Sequence, residues 1–207
     1  MSGSVFRQSR TAPALHLSHS GAIMWWVCFL LFLTPLVSAQ TLRCGACPTI
    51  GVQSGFDLYR YLGRWFEITK LPASFESGKC IEANYALRED GTIQVLNKQM
   101  WERGRSIEGT AVVTDPKEPA KLGVSFSFLS PVGTYWVLYT DYTSIAVVYS
   151  CTDILRVSHV DYAWILARSR FPSEETMRNA TEILEKAGVK PCELIPTDQT
   201  GCLDDTM

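Results

Sequence analysis

Between Gly63 and Arg168 the chain alternates in polarity. Leu122, Val124, Phe126 and Phe128 are separated by Gly123, Ser125 and Ser127, and Ile81, Ala83, Tyr85 and Leu87 alternate with Glu82, Asn84 and Arg88. Large apolar residues on one face and small or polar ones on the other, at a period of two, predict half-buried antiparallel strands. β-rich runs of this kind fall at 63–71, 79–88, 91–99, 105–113, 120–129, 134–140, 145–151 and 159–168. Asp90-Gly91, the Pro116–Pro119 segment and Pro131-Val132-Gly133 supply turns between them.

The periodicity changes after Pro172. Ser173 is placed to cap a helix, Glu174 and Glu175 suit its positive N-terminal end, and Gly188 can end it. Met177, Ala180, Leu184 and Ala187 recur at helical spacing and predict a stripe that docks on the sheet. Asn179-Ala180-Thr181 is a glycosylation sequon, with Asn179 well around the helix from that stripe.

Eight strands in sequence and one helix predict an all-β fold: an eight-stranded antiparallel up-and-down barrel with one C-terminal α-helix packed on the outside. Closure removes the exposed sheet edges, and a barrel of eight strands has room for one small ligand. Strand direction reverses at every turn. Gly63-Arg64-Trp65, Thr140-Asp141-Tyr142 and the run from Trp164 to Arg168 therefore meet at one rim, as a structural floor. The loops at 72–78, 100–104, 129–133 and 152–158 fall at the other, where function is to be sought.

The N-terminal residues have a different character. Trp25 to Leu33 is almost wholly apolar, Pro35 follows, and Val37-Ser38-Ala39 is a small-residue cleavage site. This predicts a secretory signal peptide within an N-terminal segment 1–39, and a single domain over 40–207. Met24 is a more ordinary start than Met1. The leader takes Arg7 and Arg10 with it, making the formal net charge of −2 more negative still. With no basic run, the remainder is a poor partner for nucleic acid or for strong binding to anionic membranes. Only His159 remains of the three histidines, which argues against a multi-histidine metal site and against a Ser-His-Asp hydrolase. Cys44, Cys47, Cys80, Cys151, Cys192 and Cys202 form an even set for an oxidising compartment, with several pairings open.

Gly-x-Trp opening the first barrel strand, Thr-Asp-Tyr after the sixth and Arg ending the eighth resemble the three-block signature of the kernel lipocalins. Phe56-Asp57, the run from Tyr61 to Ile68, Cys80 to Tyr85, Glu118 to Leu122, Tyr149 to Thr152, His159 to Arg168 and Thr197-Asp198-Gln199 extend the resemblance over nearly all of 47–202. It implies a floor made by Gly63, Trp65, Thr140, Asp141, Tyr142 and Arg168, with Arg168 in a cation–π contact on Trp65. It implies disulfides Cys47–Cys151 and Cys80–Cys202, each contributing on the order of 3–5 kcal/mol. Cys44 and Cys192 have no counterpart in the pattern and are expected to form a third bridge.

By the same resemblance the protein is a secreted, extracellular carrier of a small hydrophobic ligand, a fatty acid such as arachidonate or a steroid such as progesterone. Tyr85, Asn97, Phe126 and Trp164 are expected on the cavity wall, with Asn97 as the polar group that orients the ligand. No cofactor or metal is expected, and the protein is not expected to be an enzyme, since no cysteine falls at an inward mid-strand position where a lipocalin isomerase would need its thiol. A tetrapyrrole or carotenoid carrier is the alternative, with little support for haem ligation from His159 alone. Phe128 and Leu129, at the open rim, are candidates for contact with membranes or lipoprotein particles. No motif identifies a receptor.

Overall fold

The alternating runs become strands joined by hairpins in a continuous meander. The computed structural model describes residues 41–100, 105–127, 129 and 131–202. After a short strand β1 (Thr41–Cys44) and a one-turn helix α1 (Leu58–Tyr61), the barrel strands are β2 (Gly63–Lys70), β3 (Lys79–Leu87), β4 (Ile93–Met100), β5 (Arg105–Val113), β6 (Lys121–Ser125), β7 (Gly133–Thr140), β8 (Ile145–Ile154) and β9 (Ser158–Ala167). Helix α2 (Glu174–Lys186) and a short strand β10 (Ile195–Pro196) follow.

Each barrel strand pairs antiparallel with the next. β9 closes the ring on β2 through Phe66↔Ala167, Glu67↔Leu166, Thr69↔Ile165 and Lys70↔Trp164. The eight-stranded closed barrel with a C-terminal helix is thus the fold. β1 lengthens the sheet beside the far half of β9, and β10 pairs with the end of β2. Asp90-Gly91 makes the expected hairpin, with Gly91 at φ 81°, a conformation that suits a residue without a Cβ.

The fifth run stops earlier than its alternation predicts. β6 ends at Ser125, where Val124↔Gly133 is the last pair with β7 and Thr110↔Ser125 the last with β5. The Ser125 hydroxyl then donates to the Ser127 carbonyl, and the Ser127 hydroxyl accepts from Leu129 N–H. Such local bonds compete with a ladder and turn the chain. Phe126 is consequently just past the strand, and Phe128 lies outside the described residues.

The barrel wall has apolar residues on both faces where the helix covers it. On β8, Ala146 and Val148 point into a core with Trp65, Tyr85, Val95, Leu122 and Leu166. Ile145, Val147, Tyr149 and Cys151 point outward, with Ile165 and Ala167 of β9, against Ala180 and Leu184 of α2. That explains why β8 reads as a near-continuous apolar run. Ser173 caps α2 by accepting from Thr176 N–H, and the residues of the stripe are the ones that dock. Asn179 is exposed on the opposite side.

Disulfides fix both tails to the barrel: Cys47–Cys151 and Cys80–Cys202. The C-terminal tail plugs the place where β2 and β3 part, since Gln199 Nε2 donates to the carbonyls of both Glu67 and Ile81 at 2.8 Å. The expected third bridge is not formed. Cys44 and Cys192 are both free and exposed. On β1, Arg43 turns toward Asp161 and Glu193, pairing with both. Successive strand side chains point to opposite faces, so Cys44 is turned away from the turn that carries Cys192.

Candidate functional site

The three sequence blocks come together at one end of the barrel. Gly63 opens β2 at φ 91°, and a Cβ there would lie 3.4 Å from Arg168 Nη1, so glycine serves both the backbone and the close approach. The Arg168 guanidinium sits 3.7 Å from the centre of the fully buried Trp65 ring. It donates to the carbonyls of Arg64 (2.6 Å), Leu62 (2.8 Å) and Tyr142 (3.1 Å), with longer bonds to Arg60 and Tyr61. Trp65 Nε1 donates to the Tyr61 carbonyl at 2.8 Å. One cation therefore ties α1, the start of β2 and the β7–β8 turn together.

Asp141 holds that turn. Desolvation works against its charge, yet donation from Ser144 and from the backbone N–H groups of Ile145, Ser144 and Thr143 keeps its carboxyl below the usual range. Thr140 Oγ1 donates to the Ile145 carbonyl, and the Tyr142 hydroxyl accepts from Asp57 N–H. These residues fill and close the end of the barrel.

Above them lies a cavity of about 260 Å³. Tyr85, Asn97, Phe126 and Trp164, the four residues expected on the wall, all line it. Phe126 reaches it from beyond the strand end because Gly109 leaves room; a Cβ there would come within 2.7 Å of the ring. Phe126 remains 38% exposed, which puts it at the mouth. Asn97 Oδ1 is buried with no hydrogen-bond partner among the described residues.

Several residues that the sequence reading missed also contribute. Tyr135 stands between Tyr61 and Tyr85, with hydroxyl separations of 2.7 Å on both sides. Burial pushes all three phenols above their ordinary range, so they remain protonated. Three hydroxyls joined by two bonds use two protons, leaving one O–H to donate to a guest. Glu67 and Glu76 line the cavity near its mouth. Glu67 is two residues beyond the inward Trp65, so the period of two was the available signal. Nothing local in the sequence signals Glu76, which comes from the loop after β2.

The remaining candidate chemistry lies elsewhere. His159 is buried behind β1, its Nδ1 2.8 Å from the Gly45 carbonyl oxygen, and does not line the cavity. Among the described residues no cluster of histidine, cysteine or acidic groups could hold a metal ion. None of their helices is long and apolar enough to cross a membrane.

Comparison with known proteins agrees with this geometry. A family model described as a lipocalin-like domain matches residues 56–199. Apolipoprotein D of Cavia porcellus is 44% identical over 186 residues, covering 89% of this chain and 98% of the relative. Apolipoprotein D of Oryctolagus cuniculus is 46% identical over 172 residues, covering 82% and 91%. Among solved structures, insecticyanin from the tobacco hornworm Manduca sexta superposes with a TM-score of 0.68 at 27% identity, covering 78% of this chain and 90% of its own.

Proposed function

This chain belongs to the lipocalin family, whose members carry small hydrophobic ligands, and from that premise we propose a secreted carrier for one lipophilic molecule, a fatty acid such as arachidonate or a steroid such as progesterone. The observation that carries the reading is a cavity closed at one end by the Trp65–Arg168 floor and walled by aromatic and aliphatic residues, with few polar atoms. At about 260 Å³ it is near the lower end of ligand pockets, and it continues into an open mouth.

Apolar surface supplies the affinity, and the polar atoms set the orientation. Burying a lipid tail contributes on the order of 25 cal/mol per Å², offset by the cost of ordering it. The spare hydroxyl proton of the tyrosine group can donate to a carboxylate or ketone oxygen and so favours a ligand with one polar end. Neither free thiol, Cys44 nor Cys192, lines the cavity.

Loading and delivery at a lipid surface suit the open rim. Leu129 is 82% exposed there, Leu155 88% and Val157 70%, an apolar fringe able to touch a membrane or lipoprotein particle. The leader read at 1–39, the disulfides and the exposed sequon at Asn179 support an extracellular glycoprotein.

Tryptophan fluorescence tests the assignment. Saturable quenching by progesterone or arachidonate, lost in Trp164→Phe, is the expected result. Unaltered quenching in that variant would remove Trp164 from the site.

A further inference from the structure

A buried ion cluster at the cavity mouth is not used by the carrier reading. Lys70 is only 7% exposed, and its Nζ lies 3.0 Å from Glu67 Oε1, 2.8 Å from the Glu76 carbonyl oxygen and 3.5 Å from Glu76 Oε2. Glu76 Oε2 also accepts from Trp164 Nε1 at 2.9 Å. A carboxylate oxygen on the cavity wall thus meets both a buried ammonium and an indole N–H. Burying these groups costs free energy unless each is paired, so removal of the carboxylate would take the acceptor from Trp164 Nε1 and one of three oxygen partners from Lys70.

The two sides of this contact differ in how they are held. Lys70 and Trp164 are direct partners in the β2–β9 ladder, so their spacing is set by the closed barrel. Glu76 belongs to the connection between β2 and β3. Its neighbour Phe75, 56% exposed, packs edge-on against Tyr162 at 5.4 Å, and both rings line the cavity. The donors stand on paired barrel strands and the acceptor on a loop.

Building on the carrier reading, we propose that Lys70 Nζ and Trp164 Nε1 form an anion subsite for the carboxylate of a lipid acid, and that Glu76 is a built-in competitor occupying it when no acid is bound. An acid that enters head-last exchanges its carboxylate for that of Glu76, which moves into water as the loop lifts. Glu76 Oε2 stands 3.5 Å from Lys70 Nζ, whereas a carboxylate not tethered to the loop can close to hydrogen-bond distance, so the acid draws on the charge of Lys70 more than Glu76 does. A neutral lipid binds beneath the loop without this exchange.

Glu67 makes the exchange sensitive to pH. Burial and the charge of Glu76, opposed by Lys70 and Thr197, raise its carboxyl to about 7. When protonated, Glu67 leaves the charge of Lys70 to the ligand; when ionised, it takes that charge for itself. The other groups facing the cluster are Tyr162 on β9 and Glu82 on β3, whose carboxylate is met by Arg170, Lys98 and Arg64. The C-terminal tail contributes the Thr197 hydroxyl. Acid binding therefore weakens as pH rises through about 7.

The test compares arachidonate with the alcohol of the same chain, by calorimetry at about pH 6 and about pH 8, on either side of the Glu67 transition. In the wild type the acid-to-alcohol affinity ratio should fall several-fold between the two. At the higher pH, Glu76→Gln, which keeps an acceptor for Trp164 but removes the competing charge, should raise the ratio about tenfold. Lys70→Met should lower it; if that variant does not fold, Glu76→Gln decides alone. A ratio unmoved by both pH and Glu76→Gln overturns the anion subsite and leaves the carrier intact. Binding of neither lipid overturns both.

Discussion

Replacing Arg168 by Lys isolates what the floor contributes. The charge and most of the aliphatic stem remain, but the planar fork that serves several carbonyls is lost. In the native protein this fork makes three bonds of 2.6–3.1 Å to the carbonyls of Arg64, Leu62 and Tyr142 and stacks 3.7 Å from the Trp65 ring. An ammonium can keep one of those bonds. Hydrogen bonds to a charged group contribute about 1.5–3 kcal/mol each when buried, but the guanidinium is partly exposed and the orphaned carbonyls can rehydrate. A loss of about 1 kcal/mol for each of two bonds, with about 1 kcal/mol from weaker stacking, gives roughly 3 kcal/mol. For a domain of this size that lowers Tm by about 6–12 °C. Urea unfolding followed by near-UV circular dichroism measures it, with the m-value expected to stay constant. A loss below about 1 kcal/mol would refute the claim that one guanidinium closes the barrel end.

Other consequences can be checked as directly. Glu67 is raised from 4.5 to about 7 in the folded protein, so its contribution to stability is fully present below 4.5 and is lost as pH rises through about 7. Glu67→Gln should remove a pH dependence on the order of 2–3 kcal/mol, seen as denaturation midpoints that no longer fall across that window. Tyr135→Phe breaks both bonds of the tyrosine group and should cost about 1–3 kcal/mol in unfolding free energy, with weaker steroid binding in the same titrations. Alkylation of the folded, unreduced protein should add two labels, at Cys44 and Cys192, by peptide mass mapping; a mapped Cys44–Cys192 peptide would reinstate the third bridge.

The barrel was legible in the chain because strand alternation, turn residues and strand reversal each constrain the same meander. The floor was legible because its residues sit at fixed points of three strands, so counting reversals brings Trp65 and Arg168 to one rim. What escaped detection depends on contacts far apart in sequence. Tyr61 and Tyr135 are 74 residues apart and lie on α1 and β7, and a single helical turn such as α1 is too short to leave a periodic trace. Glu76 finds Trp164 across 88 residues only because the loop folds over the mouth. The early end of β6 was hidden because Phe126 and Phe128 continue the alternation while serine–backbone bonds turn the chain. The cysteine expectation counted thiols in an oxidising compartment, whereas the facing of Arg43 and Cys44 on β1 decides which can meet.

The central claim is that one lipophilic molecule sits in the cavity above the floor. Native mass spectrometry of the secreted, delipidated protein titrated with arachidonate and with progesterone tests it most directly. The account predicts saturable one-to-one adducts, weakened by Trp164→Ala. Folded protein that forms no adduct with either lipid would contradict it.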